Sequence, residues 1–172
     1  MPVGYWPTGL ERVINNNEEV YMKKIAAALT LACLAGSVLA QQTLKPEEMI
    51  KFRKAGYGFM SWNMGKIKAN LDGNFNKDQV IAAANLVAAT ANSGMGALFG
   101  PGTDKDSADQ KTRVKPEFFQ QPDKVKDVAV NFIKETNELA KVAQTGDVAA
   151  IKAQFGKTGG TCKSCHDAFR RD

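Results

Sequence analysis

The chain has 172 residues, of which 44% are hydrophobic and 24% are charged, and its formal net charge is +5. The positive charges are spread along the sequence, so they indicate solvated helix faces rather than a nucleic-acid site. No nucleotide-binding glycine motif and no nucleophile elbow is present, which excludes the enzyme classes that those motifs identify.

The amino-terminal part of the chain contains a pattern typical of a secretory signal peptide. Residues 22–24 (Met-Lys-Lys) form the charged start, residues 25–35 form a short apolar core, and small residues follow. The apolar core is too short to span a bilayer comfortably. A lipoprotein signal at Cys33 is the alternative, but Thr30 stands where a lipidation box would have Leu. The pattern therefore predicts a cleaved signal peptide over residues 22–40.

The signal peptide divides the chain into three parts. Residues 1–21 precede it and fit neither a targeting segment nor a core element, so we interpret them as an upstream extension from a start codon assigned too early. Residues 41–172 follow the cleavage point, and their number suits one domain. The mature chain is therefore predicted to be exported and to have no membrane segment after signal cleavage.

Two helices are predicted in the first half of the mature domain. Residues 45–48 (Lys-Pro-Glu-Glu) open the first, because Pro favours an early helical position and acidic residues in the first turn favour the helix dipole. This helix should run to about Asp72. Residues 76–79 (Asn-Lys-Asp-Gln) resemble a capping box and start the second helix, which should end near Asn92.

A long connection and two further helices complete the domain. Gly and Pro residues interrupt residues 94–121, so we predict a long crossover there. Pro122 starts the third helix, a short turn follows at residues 144–147, and the fourth helix should loosen at Gly156 and Gly159-Gly160 before it resumes. The pattern predicts an all-α fold, an antiparallel four-helix bundle with one long crossover between helices two and three.

One face of the first helix is predicted to be buried, because side chains recur along it every three or four residues. These side chains are Arg53, Tyr57, Met60, Met64, Ile67 and Leu71. An Arg on this face would bury a charge, which is costly unless an anion pairs with it. The sequence therefore predicts an anionic partner for Arg53.

Other apolar side chains of the first helix lie off this face. Phe52, Phe59 and Trp62 are such residues, and Gly56 and Gly58 would let a neighbouring chain approach closely. A helix that is apolar on more than one side packs against more than its own bundle. We therefore predict a homodimer that forms through the first two helices.

The last helix carries the motif Cys162-Lys163-Ser164-Cys165-His166, which matches the C-x-x-C-H pattern of c-type haem attachment. In a helix, steps of about 100° per residue place Cys162, Cys165 and His166 on one face. Two thiols can then add to the vinyl groups of a porphyrin while the imidazole binds the iron. We predict one covalent haem c per chain, attached through Cys162 and Cys165, with His166 as an axial iron ligand.

Two other kinds of site could use a C-x-x-C pair. A structural zinc site needs four Cys or His ligands, but the only Cys or His outside the motif is Cys33, which leaves with the signal peptide. A dithiol redox pair belongs beside a βαβ pattern, and no strand-like alternation occurs in the sequence. Both comparisons favour covalent haem.

The segments described above resemble the cytochrome c prime family, the high-spin class II c-type cytochromes. The resemblance covers residues 43–172 and rests most specifically on residues 99–103 (Phe-Gly-Pro-Gly-Thr) and 162–170, with residues 45–47 and 52–53 in support. It implies a left-handed antiparallel bundle around the haem, and a periplasmic homodimer. It also implies five-coordinate iron that binds nitric oxide and carbon monoxide but discriminates against oxygen.

The resemblance also implies roles for single residues. Arg53 matches the family arginine that meets a haem propionate, with Lys54 beside it, and Arg113 in the crossover is a further candidate for a propionate contact. Tyr57 matches the bulky residue that fills the distal side of the haem, and Arg170 matches the arginine near the proximal histidine. Without the resemblance, Tyr57 would be interpreted as core packing and Arg170 as a solvated terminal charge.

Three functions are compatible with these patterns. The first is a gas-binding haem protein that captures, buffers or senses nitric oxide. The second is an electron carrier with a redox partner protein and a Met sixth ligand, for which Met49, Met60 and Met64 are available. A phenol at Tyr57 argues against it, because a neutral phenol is a poor iron ligand. The third is a peroxidase-like enzyme, but the chain has no second His to serve on the distal side. No enzymatic activity is therefore predicted.

Overall fold

Helices make up most of the part of the chain that this computed structural model describes, residues 44–172. They are α1 (Pro46–Asp72), α2 (Lys77–Ala91), the short α3 (Glu117–Gln120), α4 (Pro122–Ala143) and α5 (Val148–Phe169). This part of the chain has isolated β-bridges but no strand, and none of its helices is long and apolar enough to cross a membrane. The predicted upstream extension (residues 1–21) and signal peptide (residues 22–40) lie outside the described residues.

Helix α1 has the two faces that the sequence predicts. Its buried or half-buried side chains on the predicted core face are Arg53, Met60, Met64, Ile67 and Leu71. Tyr57 differs from them, because 38% of its surface is exposed. Phe52, Phe59 and Trp62 lie off the core face and are exposed by 50%, 47% and 58%. The helix therefore presents an aromatic outer face as well as its core face.

Helix α2 lies at the centre of the core. Asn76 caps it as predicted, because its side-chain oxygen accepts a hydrogen bond from the backbone N–H of Gln79 (3.0 Å). The predicted buried stripe of α2 consists of Val80, Ala84, Val87 and Ala91. This stripe packs against Ile67 of α1, Leu139 of α4 and Ile151 of α5, so one core joins all four long helices.

The crossover between α2 and α4 packs closely on α1. A Cβ atom added to Gly56 would lie 2.7 Å from the Met95 methyl carbon, and one added to Gly100 would meet a side chain of α1 at 2.6 Å. The prediction that Gly56 receives a second copy of the chain is therefore wrong, because Met95 of the same chain already occupies that position. Gly58 has no such neighbour within 4 Å.

Helix α5 is continuous, which corrects the predicted loosening at Gly156 and Gly159-Gly160. Each Gly costs a helix about 1 kcal/mol relative to Ala, but tertiary packing provides most helix stability in proteins. Here Gln154 and Thr158 donate side-chain hydrogen bonds to the Glu135 carbonyl of α4, both at 3.1 Å. These bonds hold the glycine-rich part of α5 against α4.

The four long helices form an antiparallel four-helix bundle with one long crossover between α2 and α4, as the sequence predicts. Helix α1 packs closely on α2, α2 on α4, and α4 on α5, whereas α1 and α5 approach each other at few positions. The side with the least helix-to-helix packing is therefore the side formed by α1 and α5, which carry Tyr57 and the C-x-x-C-H motif.

Candidate haem site

Cys162 and Cys165 lie in the last turns of α5, where both side chains are half-buried and no disulfide joins them. Burial raises the pKa of the Cys162 thiol above its usual range. Burial also raises the pKa of the Cys165 thiol, and the neighbouring Cys162 adds to this effect. Redox-active C-x-x-C pairs instead have a thiol whose pKa is lowered. The two thiols are therefore poorly suited to dithiol redox chemistry.

Tyr57 of α1 lies close enough to both thiols for each of them to affect its ionisation. Its ring makes an edge contact with Phe99 of the crossover, at 6.3 Å between ring centroids. Burial, followed by the nearby Cys165, raises the pKa of the Tyr57 phenol to about 12. Tyr57 therefore presents a neutral phenol on the side of the bundle where the two thiols lie.

Arg53, one helical turn before Tyr57, is buried, with only 5% of its surface exposed. Nη1 donates to the Leu98 carbonyl (3.1 Å) and the Thr103 hydroxyl (3.0 Å). Nη2 donates to the Thr103 carbonyl (3.0 Å) and the Thr112 hydroxyl (2.8 Å). Burial lowers the pKa of the guanidinium, and none of the ion pairs among residues 44–172 includes Arg53. Arg53 is thus a buried cation whose hydrogen-bond partners are all neutral.

His166 is exposed next to Cys165, and one nitrogen of Arg170 lies 3.4 Å from its Nδ1 atom. Both residues line an open cleft of about 440 Å³, and Arg113 of the crossover lines the same cleft. The structure therefore brings Arg113, Arg170 and His166 together at one cleft. Lys54 is exposed on α1.

The three methionines that could supply a sixth iron ligand have other packing partners. Met60 is buried against Val87 and Ala91 of α2, and Met64 packs against the same core. The Met49 sulfur lies against the backbone of Gly100 in the crossover. None of these contacts involves the motif of α5.

The sequence analysis did not identify the partners of Arg53 in the crossover. Thr112 is a buried acceptor in a stretch without periodicity, and Thr103 was noted only as part of a motif. Phe118 was also missed, although it stacks on Phe99 at 4.4 Å and contacts Phe169 at 5.5 Å between centroids. Contacts over this sequence distance leave no local signal, so only the three-dimensional structure could reveal them.

These features fit a covalently attached haem. Two half-buried thiols and an adjacent imidazole on α5 provide the donor set of c-type attachment. Arg53 is a buried cation without a carboxylate partner among the described residues, and an anionic propionate would reduce the cost of burying it. Helices α1 and α5, which carry these groups, are the least closely packed neighbours in the bundle.

Comparison with known proteins agrees with this site. The profile of the family described as Cytochrome C' matches residues 48–170. The chain belongs to the cytochrome c' family. A cytochrome c' from Allochromatium vinosum is 58% identical over 145 residues, which cover 84% of this chain and 94% of that protein. The predicted resemblance is therefore confirmed, and the chain is a c-type haem protein that binds haem c covalently.

Two solved cytochrome c' structures extend the comparison. One is a cytochrome c' with an unusual ligand-controlled dimer dissociation. It is 60% identical to this chain with a TM-score of 0.74, and the match covers 75% of this chain and 98% of that chain. The other is a nitric oxide complex of a cytochrome c prime variant from Alcaligenes xylosoxidans. It is 26% identical, has a TM-score of 0.66, and covers 74% of this chain and 98% of its own.

Proposed function

We propose that this cytochrome c' is a periplasmic gas-binding protein with five-coordinate iron, and that its ligands are nitric oxide and carbon monoxide. Cys162 and Cys165 hold the haem through thioether bonds, and His166 is the protein ligand of the iron. When bound, the haem supplies the open coordination position at which a diatomic gas can bind. Export through the predicted signal peptide (residues 22–40) supports the periplasmic location.

The observation that carries this proposal is the position of Tyr57 on α1. Tyr57 lies on the side of the bundle where the two thiols lie, and burial raises the pKa of its phenol further above an ordinary value that already keeps it neutral at physiological pH. A neutral phenol binds iron poorly, and with haem attached to Cys162 and Cys165 its ring would take up the space that a sixth ligand would need. Tyr57 therefore acts as a steric gate rather than as a ligand.

Four basic residues complete the proposed site. Nη1 and Nη2 of Arg53 have neutral acceptors in the crossover, so a propionate would supply the negative charge that these acceptors lack. Lys54 and Arg113 are exposed and supply positive charge for the same carboxylates. Arg170 lies beside His166, with one guanidinium nitrogen 3.4 Å from Nδ1, and supplies positive charge next to the imidazole.

An electron-carrying role with a redox partner protein is the less favoured alternative. It would require a Met ligand, but Met60 and Met64 are packed in the core and Met49 packs on the crossover. Enzymatic peroxide chemistry is not proposed, because the single His of the chain is the proposed axial ligand. The nitric oxide complex of the Alcaligenes xylosoxidans relative supports gas binding instead.

We also propose a homodimer that uses the aromatic outer face of α1, which consists of Phe52, Phe59 and Trp62. Phe59 and Trp62 stack at 5.7 Å between ring centroids and are half exposed. Exposed aromatic side chains of this size mark interaction surfaces. The relative with ligand-controlled dimer dissociation supports the same assembly.

Anaerobic titration of the reduced protein with each gas tests the gas-binding function. We expect nitric oxide and carbon monoxide each to change the haem absorption spectrum with saturation at one gas molecule per chain. Oxygen is expected to form no stable complex, because a phenol packed against the site cannot turn to donate a hydrogen bond to it. A reduced protein whose spectrum does not respond to either gas would rule out the proposed function.

A further inference from the structure

Thr112 lies in the middle of the crossover, is only 8% exposed, and makes hydrogen bonds in several directions. Its hydroxyl accepts a hydrogen bond from Arg53 Nη2 (2.8 Å) and donates one to the Thr103 carbonyl (3.1 Å). Its backbone N–H donates to the Asp106 carboxylate (2.9 Å), and its carbonyl accepts from Arg171 Nη2 (3.0 Å). One residue thus contacts α1, the crossover and the segment after α5.

The residues that follow Thr112 pair with the end of α5. The Lys115 N–H donates to the Phe169 carbonyl (2.8 Å), and the Arg171 N–H donates to the Arg113 carbonyl (2.7 Å). Val114 and Arg170 form an antiparallel bridge between these two bonds. We call residues 112–115 the strap. It is fixed to the chain only a few residues after His166.

The strap is also bonded to α1, through Arg53, which precedes Tyr57 by one helical turn. We call the hydrogen bonds from Arg53 through the strap to the end of α5 the connection. Because both of its terminal nitrogens bond to the crossover, Arg53 holds that turn of α1 against Thr103 and Thr112. Hydrogen bonds from a charged donor are stronger than those between neutral groups. The strap therefore connects, through hydrogen bonds, the turn of α1 that carries Tyr57 with the end of α5 that carries His166.

We propose that Thr112 is a positioning residue, which acts through Arg53 and the strap to hold Tyr57 and His166 in a fixed relation. This inference rests on the proposed function, since Tyr57 is taken as the gate for gas binding. Loss of the Thr112 hydroxyl removes an acceptor from Arg53 and from the Val114 N–H, which bonds to it at 3.3 Å. Both the contact with α1 and the strap are then held less firmly. Tyr57 then obstructs the site less effectively, and the end of α5 opens more often.

Three variants of the haem-loaded protein test the inference. Thr112→Val removes the hydroxyl but keeps the shape, and Thr112→Ser restores the hydroxyl. Thr136→Val is the matched control, because Thr136 is fully buried in α4 and donates only to the Ile133 carbonyl. If Thr112→Val does not fold, Arg171→Ala is used in its place, because it removes one bond of the connection, the hydrogen bond from Arg171 Nη2 to the Thr112 carbonyl.

The first measurement is hydrogen exchange at the backbone amides of Lys115 and Arg171. Thr112→Val should accelerate exchange there by about tenfold or more, whereas Thr112→Ser and Thr136→Val should resemble the parent. The second measurement is carbon monoxide affinity, which should rise by about threefold in Thr112→Val, or in Arg171→Ala where that variant replaces it, and should stay at the parent value in Thr112→Ser and Thr136→Val.

The outcomes separate the inference from the function on which it rests. Exchange that rises equally in Thr112→Val and Thr136→Val would overturn the inference, because any lost buried hydroxyl would then have the same effect. Faster exchange with unchanged carbon monoxide affinity would also overturn it, since the strap would then be purely structural. A parent protein that binds no carbon monoxide would reject the proposed function and, with it, the effect of Thr112 on Tyr57. The exchange rates of Thr112→Val and Thr136→Val would then decide only whether Thr112 holds the strap.

Discussion

Tyr57 differs from the other core-face residues of α1 because 38% of its surface is exposed. Its pKa of about 12 keeps the phenol protonated, and its ring contacts Phe99 while its hydroxyl is influenced by Cys162 and Cys165. A protonated phenol obstructs the site without binding iron. Under the proposed function, ligands that bind ferrous haem strongly, such as nitric oxide, are expected to displace the ring, whereas carbon monoxide is expected to be hindered more.

Replacing Tyr57 by Ala should therefore raise carbon monoxide affinity by more than about tenfold, equivalent to about 1.4 kcal/mol. Tyr57→Phe keeps the ring and is the matched control, which should bind carbon monoxide with nearly the parent affinity. Equilibrium titration of the reduced proteins measures both. If Tyr57→Ala binds carbon monoxide no better than the parent, then Tyr57 is core packing and the gate lies at Met60 or Phe99.

The burial of Arg53 was predictable from sequence, but its hydrogen-bond partners were not. Its spacing with Met60 and Ile67 places it on the core face of a helix, and the structure confirms that it is buried. Its acceptors Thr103 and Thr112 lie in a crossover without periodicity, far away along the sequence. A buried charge therefore signals the need for partners, although the sequence does not say where they are.

At the scale of the helices, local sequence signals such as prolines and capping side chains predicted where most helices begin. Pro46 and Pro122 start helices where expected, and Asn76 and Asp147 cap the helices that follow them with their side chains. The glycines of α5 misled the prediction, because the bonds of Gln154 and Thr158 to α4 are tertiary contacts that propensity does not include. The crossover was predicted only as a long connection, because its structure also depends on tertiary contacts that local sequence signals do not include.

At the scale of the whole molecule, the aromatic outer face of α1 is an exposed surface whose side chains do not pack in the core of the bundle. Trp62 is the most exposed residue of this face at 58%, and Lys66 lies over its ring at 4.7 Å. In a symmetric dimer, each residue of the interface occurs twice, so a new charge there also occurs twice. A single substitution can therefore disturb such an interface strongly.

Trp62→Glu should weaken dimerisation by about tenfold or more, because it removes a large apolar side chain and introduces two carboxylates into the interface. Val130→Glu is the matched control, since Val130 of α4 is also 58% exposed but lies on another helix. Sedimentation equilibrium measures both variants. A parent protein that is monomeric, or a Trp62→Glu variant that dimerises like the parent, would contradict the proposed interface.

The absorption spectrum of the reduced, gas-free protein tests most directly whether Tyr57 leaves the iron with a single protein ligand. A five-coordinate iron bound only by His166 is high-spin, and the account predicts one broad visible band without sharp components. A Met or other strong sixth ligand would make the iron low-spin and give sharp, well-separated visible bands. Such a low-spin spectrum would contradict the account and would favour the electron carrier.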